Sequence, residues 1–138
     1  MRNVDNACIQ VTCDTNIKFE ENRRKIIFQN PKALPYKKVK VDGCAILRGE
    51  RCDNLLTSDD EHEERFVELK GTDVLHAIDQ LEKSIRMIGE FTDNRHAYVI
   101  CTNVAPAYTT QIQKKKLLFK REYSSELVLK EKSHTVLL

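Results

Sequence analysis

Asp53 and the run Val67-Glu68-Leu69-Lys70-Gly71 carry the residue types needed for metal-assisted chemistry on a phosphodiester. Glu68 and Lys70 are two apart, so on a strand they point to the same face. Asp53 lies one hairpin upstream and can sit opposite that pair at cross-strand distance. Two carboxylates held together bind one or two Mg²⁺ (or Mn²⁺) ions, hard cations that prefer oxygen. Such an ion polarises a phosphoryl oxygen and lowers the pKa of a bound water. Lys70 stabilises the developing negative charge or positions the water. The backbone carbonyl of Leu69 is a further candidate ligand. Burying two like charges without a cation is costly. The alternative, an exposed ion pair on a half-solvated strand, is disfavoured because Phe66 on the same face is apolar.

These residues need a pair of adjacent strands to hold them. Val39 and Val41 alternate with Lys38, Lys40 and Asp42, a strand periodicity that Cys44-Ala45-Ile46-Leu47 continues. Arg48-Gly49-Glu50 reads as a tight turn and residues 51–56 as a second strand. The acidic stretch 57–64 is expected to be a solvated hairpin loop, and residues 65–70 a third strand closed by Gly71. Thr72 is the expected N-cap of a helix whose face is Val74, Ala77, Ile78, Leu81, Ile85 and Ile88, ending near Gly89. The apolar run 97–101 reads as a buried strand stopped by Pro106. A basic helix over Thr109–Arg121, with Ile112 and Leu117 inward, and an edge strand over Glu126–Lys130 complete the chain.

At the N-terminal end a helix is expected over Lys18–Lys25, and Ile26-Ile27-Phe28 is either its last turn or a short strand. The order is helix, three antiparallel strands, helix, strand, helix, strand. The expected fold is α/β in a single domain over 1–138, a central mixed sheet flanked by helices.

Cys52-Asp53, Val67-Glu68-Leu69-Lys70-Gly71 and the helix segment Ala77-Ile78-Asp79-Gln80-Leu81 together resemble the PD-(D/E)xK, or restriction-endonuclease-like, nuclease superfamily. The resemblance covers residues 17–101. It implies an αβββαβ core, here followed by a C-terminal helix and strand. It implies a Mg-dependent endonuclease or exonuclease with Asp53, Glu68, Lys70 and Gln80 as catalytic residues. Asp53, Glu68 and Leu69 become the metal ligands. Cys52 stands where a proline is usual. Many members add an acid from the first helix, a role open to Glu20 or Glu21, with Asp42 another candidate. The basic set Lys114, Lys115, Lys116, Lys120 and Arg121 becomes a candidate phosphate-backbone contact, against its ordinary reading as a solvated face. His76 shares a helix face with Gln80 and is expected to be exposed. His62 and His134 show no partner, and Tyr98 and Tyr108 are expected to pack.

Composition excludes other classes. The chain has 138 residues, 41% hydrophobic and 32% charged, with a net charge of +2, an ordinary soluble balance. No apolar run is long enough for a membrane span, and the first residues lack a signal-peptide pattern, so a cytoplasmic location is the default. Five cysteines, an odd number without close pairs, are expected to be free thiols. DNA is the expected partner ahead of RNA, and a homodimer is compatible with a resolvase-like member. The lone-domain members that the chain resembles include phage and defence-system nucleases; two competing readings are a non-catalytic module of the same fold, binding nucleic acid or protein, and an RNA-cleaving toxin or defence effector.

Overall fold

The computed structural model describes residues 1–69, 71–90, 92–103 and 109–138. Lys70, Pro106 and Tyr108 lie outside the described residues.

Nine strands and two helices are described. β1 is Ile9–Thr12, β2 Asn16–Glu21, β3 Arg24–Gln29, β4 Tyr36–Lys40, β5 Asn54–Ser58 and β6 Glu63–Leu69. After α1 (Val74–Ile88) come β7 (Asn94–Cys101), α2 (Thr110–Tyr123), β8 (Ser125–Glu131) and β9 (Ser133–Leu137). A six-stranded sheet runs β1-β4-β5-β6-β7-β8, and a three-stranded sheet runs β2-β3-β9. β4, β5 and β6 form an antiparallel meander, while β6, β7 and β8 are parallel. The fold is therefore α/β with a mixed sheet.

The meander, α1 and β7 follow the sequence pattern. The expected first helix does not form. Residues 16–29 are a hairpin in which Ile17 pairs with Phe28 and Phe19 with Ile26. Its turn places Asn22 and Arg23 at φ 49° and 66°, the left-handed pair that tight hairpins require. Lysines and glutamates on the solvated face imitate a helix. However, Ile17, Phe19, Ile26 and Phe28 alternate with period two, and that apolar face decides the structure.

Both helices lie on one side of the large sheet, not on both. One core joins Phe66, Ala97 and Val99 to Ala77, Ile78 and Leu81 of α1 and to Ile112 and Phe119 of α2. The other joins Val67, Leu69, Tyr98 and Ile100 to Ile17, Phe19, Ile26 and Phe28 of the small sheet. β6 is buried on both faces as a result.

Several local expectations are also corrected. β4 ends at Lys40, and Gly43 at φ 75° turns the chain through 41–46. β5 begins at Asn54, not at residue 51. Asp73, not Thr72, caps α1, accepting from the His76 N–H at 3.0 Å. Leu117 is 67% exposed, and Phe119 points inward with Ile112. Glu64 is no loop residue: it is fully buried on β6 and paired with Arg95 Nη2 at 2.7 Å. Cys8 and Cys44 form a disulfide, because the fold brings their Cα atoms to 5.7 Å across a sequence gap that spacing rules do not see. Cys13, Cys52 and Cys101 are free, and Cys13 is exposed. Among the described residues no helix is long and apolar enough to cross a membrane.

Candidate metal and phosphodiester site

Asp53 sits at the entrance to β5. Its N–H donates to the Val67 carbonyl at 3.2 Å, while Asn54 is also paired with Val67. Two residues thus oppose one, a bulge that re-aims the Asp53 side chain. Asp53 Oδ2 accepts the Leu69 N–H at 2.7 Å, and its carboxyl lies within hydrogen-bonding reach of Glu68. A strand residue directs its N–H and C=O to the same neighbour. The Leu69 carbonyl therefore leaves β6 on the Asp53 side.

Glu68 is 2% exposed and shares the helix side of the sheet with Phe66 and Val99. Burial pushes the Asp53 carboxyl up to about 6. Glu21 and Asp42 add to the rise electrostatically, while the Leu69 N–H and Glu68 oppose it. The sequence-expected Asp53, Glu68 and Leu69 are brought together.

α1 supports this arrangement from below. The Cys52 N–H donates to Ser84 Oγ at 2.7 Å, and both residues are fully buried. Gln80 lies one helical turn before Ser84, on the same side of α1. Its Oε1 is buried and has no hydrogen-bond partner among the described residues. Ser84 was not anticipated, because a serine four residues after a glutamine carries no signal by itself. Cys52 is no nucleophile: burial pushes its thiol far above the ordinary range.

A cleft of about 660 Å³ opens beside Asp53, between β1, β4 and the end of β2. Glu20, Glu21, Asp42, Lys38 and Lys40 line it. The two acids the resemblance left open come from a strand, not a helix. Their surroundings differ. Glu20 Oε1 is 3.5 Å from Lys18 Nζ, and Asp42 Oδ1 accepts from Arg51 Nε at 2.6 Å. Glu21 has no ion pair among the described residues and acts electrostatically on Asp53. Lys38 and Lys40 carry no functional signal in the sequence, since alternating lysines read only as the wet face of a strand.

The basic set lies elsewhere. Lys114, Lys115, Lys116, Lys120 and Arg121 are on α2, and none lines this cleft. Lys115 pairs with Glu82 at 3.1 Å, Lys120 with Glu126 at 3.4 Å and Arg121 with Glu122 at 3.1 Å. Tyr98 packs as expected, edge-on to Phe28 at 5.6 Å. His134 lies 6.1 Å from the Tyr98 ring, and His62 is exposed. His76 is partly exposed, with Nε2 3.4 Å from Glu50 Oε2. Glu50, His76 and Asp79 converge to within 4.8 Å, but Asp79 is held by Lys83 at 3.2 Å.

Comparison of the chain with protein-family models, with curated proteins and with solved structures gives no match.

Proposed function

We propose that this chain is a metal-dependent nuclease of the PD-(D/E)xK type, hydrolysing phosphodiester bonds, in DNA ahead of RNA. One observation carries the reading: the Asp53 and Glu68 carboxyls meet at a largely buried point, where burial, with Glu21 and Asp42 nearby, pushes Asp53 up to about 6. Such a pair is unfavourable unless a cation or a proton offsets the repulsion. The unpartnered Gln80 Oε1 nearby on α1 adds an oxygen donor, so the residues present fit a hard divalent ion.

Asp53, Glu68 and the Leu69 carbonyl would hold Mg²⁺ or Mn²⁺, with Glu21 the best-placed additional acid. When bound, the ion supplies charge neutralisation at phosphorus and an acidified water. The chain's own groups do the rest. The Leu69 N–H and the Ser84–Cys52 hydrogen bond fix Asp53 in place before substrate arrives, so no reorganisation is needed during reaction. Gln80 orients a water through its amide. Lys70, by the resemblance, balances charge on the phosphate. Lys38 and Lys40, which face the cleft, replace α2 as the backbone-contacting cations.

The test is cleavage of labelled DNA and RNA with Mn²⁺ or Mg²⁺. Glu68→Gln and Asp53→Asn are expected to abolish hydrolysis while the circular dichroism spectrum is unchanged. Wild-type activity surviving in both variants would refute the proposal.

A further inference from the structure

Resting on the nuclease reading, we propose that Arg24 binds a substrate phosphate flanking the scissile one. Arg24 opens β3 and is the register partner of Glu21 across the hairpin turn. The small sheet thus carries it over the C-terminal ends of β6 and β7. Its Nη1 donates to Thr102 Oγ1 at 3.2 Å, just after β7. The same Nη1 is 4.0 Å from the point where a Cβ would stand on Gly71, just after β6. The Gly71 carbonyl accepts the Thr102 N–H at 2.8 Å, so the two strand ends beneath the guanidinium are locked together.

Among the described residues Arg24 has no carboxylate partner, unlike Arg51, Arg65, Arg86, Arg95 and Arg121. Its Nε–H is buried without an acceptor. An arginine held by one neutral hydroxyl keeps most of its five donors and all of its charge for an anion. The crevice beyond the carboxyl ends of parallel strands is also where open α/β sheets take ligands.

Spacing decides which anion. Gly71 is three residues past Glu68, at most about 10 Å along the chain. That bound, with Arg24 paired across the hairpin to the cleft-lining Glu21, keeps the guanidinium within reach of the phosphate next to the one held at Asp53 and Glu68.

The experiment is fluorescence anisotropy with fluorescein-labelled single- and double-stranded oligodeoxynucleotides, in Ca²⁺, across a salt series. Cleavage is measured in parallel with Mn²⁺. Arg24→Gln is expected to weaken binding roughly tenfold, the loss of one charge-assisted contact. Its salt slope falls by about 0.7 to 0.9, one phosphate contact. Arg24→Lys recovers part of both. Thr102→Val, which removes only the internal hydrogen bond, binds like the wild type. Wild-type affinity and slope in Arg24→Gln, in a protein that still cleaves, overturns the Arg24 assignment and leaves the nuclease reading standing. A loss in Thr102→Val equal to that in Arg24→Gln also overturns it, since the effect is then structural. A wild type that neither binds nor cleaves removes the nuclease reading and Arg24's role with it.

Discussion

The backbone N–H of Leu69 donates to Asp53 Oδ2 at 2.7 Å. A ladder position normally filled by a carbonyl of the opposite strand is filled by a side chain. The bulge at Asp53–Asn54 makes this geometry available. The bond fixes the Asp53 carboxyl next to Glu68, the residue just before Leu69, so one hydrogen bond sets the spacing of the carboxylate pair.

Substitution of Asp53 separates charge from hydrogen bonding. Asp53→Asn keeps an acceptor for the Leu69 N–H and removes a largely buried charge that Glu21 and Asp42 repel. In EDTA at pH 7 it is expected to be more stable than the wild type, on the order of 1 kcal/mol. Asp53→Ala leaves the N–H without an acceptor and falls about 1–3 kcal/mol below Asp53→Asn. Urea denaturation of the three proteins checks the order.

The pH dependence has a definite sign. The folded Asp53 carboxyl titrates near 6, above its ordinary value of about 3.9 in the unfolded chain. Between those values the folded state holds a proton that the unfolded state has lost. Stability contributed by Asp53 therefore falls as pH rises from about 4 to 6 and stays lower above that. In EDTA, the advantage of Asp53→Asn over the wild type should be small near pH 4 and open across this window. Mn²⁺ affinity should run the other way, rising with pH through about 6, because the ion displaces the proton. Urea midpoints and calorimetric titrations at matched pH values test both slopes.

The pair Glu64–Arg95 braces the opposite end of β6. Arg95 Nε and Nη2 both donate to Glu64 Oε1, at 2.9 and 2.7 Å, and Glu64 is fully buried. Arg95→Met leaves Glu64 with the Met1 ammonium at 3.1 Å and the Glu90 N–H at 3.0 Å, and is expected to cost about 1.5–3 kcal/mol, the loss of charge-assisted hydrogen bonds. Restoring the balance with Glu64→Gln in the same chain should recover much of the loss. A double-mutant cycle measured by denaturation gives the coupling.

The disulfide ties the approach to β1 to the turn after β4, across a sequence separation of 36. Cys8 and Asp42 both line the cleft beside Asp53. Reduction, or Cys8→Ser with Cys44→Ser, is expected to lower stability by about 2–4 kcal/mol through the loop it releases. Melting with and without a dithiol reductant checks this, with the double variant insensitive to the reductant.

The site was legible in the sequence where its residues are local. Glu68 and Leu69 stand on one strand, Asp53 at the entrance to its neighbour, and α1 follows at helical spacing, so short-range periodicity suffices. What depends on distant chain segments stayed hidden. The Ser84–Cys52 contact and the disulfide join segments with no mutual pattern. The hairpin at 16–29 reads as a helix in the sequence because its charged outer face outweighs four alternating apolar residues. β9 escaped because its solvated alternation, half-buried only at His134 and Val136, is weak. The choice between Glu20 and Glu21 needed the pleat: Glu21 shares the inner face with Ile17 and Phe19, and Glu20 turns outward to Lys18.

Calorimetric titration of Mn²⁺ into the wild type and into the Asp53→Ala, Glu68→Ala double variant tests the central claim most directly. Binding by the wild type at pH 7.5 and none by the folded double variant is the expected result. Binding of equal affinity by both proteins would contradict it, placing any cation site away from Asp53 and Glu68.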